Sequence, residues 1–96
     1  VIVTFDRRAT RETTDAVLYY NAEQTDLSRE FLADVRRTVD AIVEYPRAGP
    51  IVRGTIRRRL CAHFPYALLY RAHADRIRIV AVMHAKRRPD YWSGRR

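Results

Sequence analysis

"TIRRRLCAHFPYALLYRAHADRIRIVAVM", residues 55–83, decides the fold. Three runs within it read with a period of two: "TIRRRLCA" (55–62), "YALLYRA" (66–72) and "RIRIVAVM" (76–83). That period sends successive side chains to opposite faces of a strand. The breaks "HFP" (63–65) and "HAD" (73–75) are too short for a crossover, so neighbouring strands must run antiparallel. In the last run Ile77, Ile79, Ala81 and Met83 are predicted on one face, and Arg76, Arg78, Val80 and Val82 on the other. Apolar residues on both faces near its end mark an internal strand.

Upstream the period changes. Phe31, Leu32, Val35, Val39, Ile42 and Val43 recur at three- and four-residue steps, with Arg29, Asp34, Arg36, Arg37, Asp40 and Glu44 between them. This is an amphipathic helix, ended by Pro46 in the turn cluster "PRAGP" (46–50). Ala9, Ala16, Val17, Tyr20 and Ala22 predict an earlier helix over about residues 8–24, with "TDLS" (25–28) as the break and Asp26 or Ser28 as the next cap. So short a break folds the two helices into an antiparallel hairpin. "VIVTF" (1–5) opens the chain as a strand. The expected fold is therefore α+β, in the order β-α-α-β-β-β over a single domain, residues 1–96. The helix hairpin covers one sheet face, and the other, with alternate arginines, is left open for a partner.

Charge is concentrated in the strand-rich half. Residues 1–52 sum to −2 and residues 53–96 to +10, giving the chain a net +8. Such an asymmetry invites a polyanion or an acidic protein, though a solvated arginine-rich surface would read the same way. No run approaches the roughly 18 apolar residues of a membrane span. The start turns charged after five residues and shows no signal peptide. The single Cys61 cannot support a disulfide framework, fits a reducing cytoplasm and reads as a small core residue.

His63, His73, His84 and Cys61 lack metal-ligand spacing, and no phosphate-binding or dinucleotide motif occurs, so neither metal nor cofactor is expected. What remains is arginine, histidine and tyrosine around one end of a sheet. Such a set can cleave RNA without metal: a base deprotonates the 2′-hydroxyl, an acid protonates the leaving oxygen, and cations stabilise the phosphorane. His84 and Tyr91 are the candidate proton carriers, with Arg57 the candidate catalytic cation. Arg57, Arg59, Arg71, Lys86, Arg87 and Arg88 are the candidate target contacts. His84 serves equally well as a hydrogen-bonded residue at a strand end. Pro89 is read as ending regular strand pairing, and Trp92 as anchoring "YWSGRR" (91–96) against the sheet.

Several local patterns converge in order and spacing. They are Ala16, Tyr19 and Tyr20 on the first helix; Phe31 to Pro50 across the second; Ile56-Arg57; "FPYALLY" (64–70); and the run from Ile79 through "VMH", "RRPDYW" and a closing arginine. Over nearly its whole length the chain resembles the RelE/ParE superfamily of bacterial type II toxins, including plasmid stabilisation toxins. The resemblance implies a cytoplasmic, growth-arresting toxin with the same β-α-α-β-β-β fold. It also implies a cognate acidic antitoxin whose extended segment masks the basic surface. RelE-like branches cut mRNA on the ribosome; ParE-like branches poison DNA gyrase without a recognised nuclease site. Where many of the nucleases begin the third strand with arginine, this chain reads Pro65-Tyr66. It has no lysine on the second strand, and Arg57, Arg58 and Arg59 are poor proton acceptors. The resemblance thus leans to the ParE-like mode, with the mRNA endonuclease as the alternative.

Overall fold

Seven elements follow one another: β1 (Ile2–Phe5), α1 (Arg7–Glu23), α2 (Thr25–Glu44), β2 (Ile51–Arg53), β3 (Ile56–Leu60), β4 (Tyr66–Ala72) and β5 (Arg76–His84). The computed structural model describes residues 1–87 and 90–96; Arg88 and Pro89, with the roles expected of them, lie outside the described residues. The strands form one sheet in the order β1-β5-β4-β3-β2. The hairpins β2–β3, β3–β4 and β4–β5 are antiparallel, as their short connections require. By contrast β1 lies parallel to β5, so the sheet is mixed. The three-residue β2, too short to show a period, continues the sheet beyond the turn cluster.

The break between the helices is a single residue. Gln24 is extended (φ −166°, ψ 131°) and serves both as C-cap of α1 and N-cap of α2. The expected caps Asp26 and Ser28 are therefore helical residues, the second and fourth of α2. Asp26 sits in the first turn, where its charge suits the helix dipole, and Ser28 Oγ donates to the Thr25 carbonyl. On α1 the buried residues are Ala9 and Ala16, small enough to bring the helix close to the sheet. On α2 Phe31, Val35, Thr38 and Ile42 make the buried stripe, whereas Leu32 is 46% exposed. These pack with Leu68, Tyr70, Ile77, Ile79 and Val82 into the main core.

A β-bulge changes the predicted faces of β5. Leu69 pairs with Ala81 and Tyr70 with Ile79, which leaves Val80 as the extra residue. Ile77, Ile79 and Val82 consequently face the helices, while Val80, Ala81 and Met83 turn to the opposite face. There they meet Ile56, Leu69, Tyr91 and Trp92 in a second, smaller core. The face expected to be open is thus covered in part by the C-terminal segment, with Trp92 only 6% exposed.

Two polar anchors fix the connections. The fully buried Asp34 accepts from the backbone N–H groups of His63 (3.0 Å) and Phe64 (2.8 Å), pinning the β3–β4 turn to α2. Burial opposes its ionisation, but these donors outweigh that and hold its carboxyl below the usual range. At the other end of α2, Tyr70 donates to the Pro46 carbonyl (2.8 Å), and Gly49 lies against both Tyr70 and β3. A Cβ at Gly49 would stand 2.5 Å from the Arg58 carbonyl oxygen and 2.6 Å from Tyr70 Oη. Only glycine lets the turn approach this closely.

Candidate functional site

The C-terminal segment builds the site. Asp90 (φ 59°) and Gly94 (φ 90°) place two left-handed residues in seven, and backbone bonds Ser93 to Asp90 and Arg95 to Trp92 coil the segment into consecutive turns. Tyr91, Trp92 and Arg95 point into the protein; Trp92 covers the second core and Arg95 is 7% exposed. The Arg95 guanidinium meets the Glu12 carboxylate through two contacts, 2.9 and 3.2 Å, and also donates to the Val80 carbonyl at 3.2 Å. Glu12 additionally accepts from the Tyr91 hydroxyl (2.5 Å) and the Val82 N–H (3.0 Å).

Either side of this segment lies a depression. One, of about 180 Å³, is lined by Glu12, Asp15, Tyr19, Tyr66, Val82, His84, Arg87 and Tyr91. His84 and Tyr91, the two candidate proton carriers, therefore share one cleft. His84 Nδ1 accepts from the Lys86 N–H at 3.0 Å, so its Nε2 carries the proton in the neutral ring, and the ring meets Tyr66 edge-on at 5.0 Å. Burial raises the Tyr91 phenol above its ordinary pKa, and its bond to Glu12 raises it further. A phenol held in this way yields its proton less readily than a free one. Burial likewise pushes Tyr66 up to about 12. Arg87 stacks over the Tyr91 ring at 4.4 Å, and Lys86 is exposed beside it. The second depression, about 280 Å³, runs between β2 and the segment over Val52, Arg53, Arg58, Leu69, Met83 and Trp92.

The sheet arginines divide between the two faces. Arg57 pairs across the ladder with Tyr70, and Arg59 with Leu68, both main-core residues, so these two arginines share the helix side of the sheet. The Arg57 guanidinium donates to the carbonyls of Arg47 (3.1 Å) and Gly49 (2.8 Å), bracing the turn after α2. Arg71 lies on the other face, bonded to Thr55 Oγ1 (3.1 Å) and the Arg95 carbonyl (3.2 Å). Arg57 and His84 are two strands apart and four residues out of register, roughly 16 Å from strand spacing and rise. The candidates among the described residues thus separate: His84, Tyr91, Lys86 and Arg87 together, Arg57 and Arg59 on the helix side, and Arg71 on the opposite face beside Thr55 and Arg95.

Three contributors were not singled out in the sequence. Glu12 stands in a polar helical stretch, "RRATRETTD", where nothing distinguishes it from its solvated neighbours. Arg95 is one of two closing arginines of equal appearance. Arg58 reaches the second depression because the pleat puts it opposite Arg57 and Arg59. The alternation of β3 was the available signal for it.

A helix hairpin thus lies on one face of a five-stranded mixed sheet, with a basic C-terminal segment latched over part of the other, the architecture of a small α+β domain. The family described as the ParE toxin of the type II toxin-antitoxin system, parDE, matches residues 3–89. A Sinorhizobium fredii protein named "Putative toxin Y4kP" is 33% identical over 79 residues, 81% of each chain. A chain of the chromosomal ParDE TA system from P. aeruginosa superposes with a TM-score of 0.77 at 13% identity, covering 90% of this chain and 97% of that one. At that identity the superposition speaks for the fold. The chain belongs to the ParE toxin family of type II toxin-antitoxin systems. No helix among the described residues is long and apolar enough to cross a membrane.

Proposed function

We propose that this toxin arrests growth by binding DNA gyrase, without hydrolytic chemistry, and that a cognate acidic antitoxin restrains it by covering its basic surface. The observation that carries the reading is the use already made of the expected nuclease residues. Arg57 is spent on main-chain carbonyls roughly 16 Å from His84, by the same spacing argument, and the Tyr91 proton is held by Glu12. Among the described residues no cation of the middle strands lines the His84 cleft. Arg87 stands there with the carboxylates of Glu12 and Asp15 and the rings of Tyr19, Tyr66, His84 and Tyr91. The strand cations that would stabilise a phosphorane are thus not part of that lining.

The test is a supercoiling assay with purified gyrase and the purified toxin, with and without antitoxin. Inhibition or gyrase-dependent DNA breakage, relieved by antitoxin, supports the reading. An unaffected enzyme at saturating toxin rejects it. The second reading, a ribosome-dependent mRNA endonuclease, is favoured by one observation: His84 and Tyr91 line the same cleft. It requires that His84→Ala and Tyr91→Phe abolish mRNA cleavage on ribosomes while the helices persist.

A further inference from the structure

β1 accompanies β5 only as far as the pair Phe5–Ile79, after which the chain turns away into α1. On this side β5 continues to His84 without a neighbouring strand among the described residues. An uncovered strand edge presents polar groups that normally need a partner. Two of them are met by side chains: the Val82 N–H donates to Glu12, and the Val80 carbonyl accepts from Arg95. The carboxylate and guanidinium are also bonded to each other, so together they occupy the place of a ladder rung between β5 and the strand that has ended. One member comes from α1 and the other from the C-terminal segment. The pair is well removed from water, with side chains 16% and 8% exposed.

We infer that Glu12 is a positioning residue: with Arg95 it clasps the C-terminal segment to the bare edge of β5. It thereby sets the common wall of the two depressions that flank that segment. The inference rests on the proposed reading that this face is where the toxin meets its target. The apolar contribution to the clasp is small, since one indole covers a floor of Ile56, Leu69, Val80 and Ala81. Tyr91 is a second tie to the same carboxylate, its ring 4.4 Å from the Arg87 guanidinium and 5.1 Å from that of Arg95. Losing Glu12 would strand a buried guanidinium and free both ties, whereas losing the Tyr91 hydroxyl would remove one.

Trp92, the only tryptophan, reports on the clasp directly. Glu12→Gln should red-shift its fluorescence and speed trypsin cleavage at Lys86 and Arg87 by about tenfold, the loss expected for one charge-assisted contact. Helical circular dichroism should be retained. Tyr91→Phe should give the same changes in smaller measure, and Glu12→Asp should fall between Gln and wild type. Gyrase inhibition by Glu12→Gln should weaken by a similar factor. Trp92 emission and cleavage matching wild type in both Glu12→Gln and Tyr91→Phe would overturn the clasp. An opened segment with undiminished inhibition would overturn the positioning role. Should wild-type toxin leave gyrase untouched, the target reading fails, while fluorescence and proteolysis still decide the clasp.

Discussion

The two faces of the sheet are held by different means. On the helix side Phe31, Ile42, Leu68, Tyr70 and Ile79 are fully buried, and adhesion comes from apolar area shared among two helices and three strands. On the C-terminal side one indole covers a small apolar floor, and a segment of seven residues is otherwise held by polar ties, chiefly Arg95 and Tyr91 to Glu12 and Arg71 and Arg78 to main-chain carbonyls. The first arrangement is broad and fails as a unit. The second is narrow and directional, so it can open while the rest stays folded. A surface meant to meet other macromolecules is better placed on the second kind of support than on the first.

Phe31→Ala should sharpen this contrast most. It deletes the centre of an aromatic cluster with Tyr20, Phe64 and Tyr66 and should cost about 3–5 kcal/mol in urea denaturation. Helical circular dichroism should be lost in one transition; a helical signal that melts in two separated steps would break the claim that this side fails as a unit. Asp34→Ala should follow, at about 3 kcal/mol, because two N–H groups of the β3–β4 turn lose their buried acceptor. The carboxyl also sets a pH dependence. Its folded pKa lies below the unfolded value, so its stabilisation is complete above the usual carboxylate range and fades as pH falls through the lowered value. Asp34→Asn should flatten that acid limb of a stability–pH curve; an unchanged limb assigns it to other carboxylates, such as Asp6, which Arg8 also holds low.

Gly49→Ala should cost about 1–3 kcal/mol, as the turn after α2 backs away from Tyr70 and Arg58. Thermal melting checks it, and a variant as stable as wild type would mean that the turn can shift freely. Smallest is Tyr70→Phe, which removes one hydrogen bond to the Pro46 carbonyl and should cost about 1 kcal/mol. All four positions lie on the helix side or its connections. If a change at any of them loosened the C-terminal segment before the helices, the two faces would not be the separate supports described above.

Most of the fold was legible because it rests on periodicity. The stripe of α2 and the alternation of β3 and β4 appear in the sequence much as they do in space, although Leu32 of that stripe is exposed and Asp34, read between its members, is fully buried. The bulge at Val80 was not, since one inserted residue reverses faces without disturbing composition, and Ala81 and Met83 were assigned to the wrong side for that reason. β2 was too short to announce itself, and a single extended Gln24 replaced the longer break that "TDLS" suggested. The site was less legible than the fold. His84 and Tyr91 could be singled out by chemistry, but their common cleft depends on a segment folded back through two left-handed residues. Glu12 acquires its role only because β1 stops short of the end of β5. Nothing near Glu12 in the sequence records where another strand ends.

That parallel pairing of the first strand with the last also governs when the protein can exist. Ile2 finds its ladder partner at Arg76, so β1 has nowhere to bind until β5 has been made. At about 5–20 residues per second, synthesis leaves β1 and the inner face of the helix hairpin waiting several seconds for the strands that cover them. The clasp comes later still, since Arg95 follows β5 by more than two helical turns' worth of chain. Each toxin molecule therefore closes this face only once residues 90–96 have been made, well after its helices.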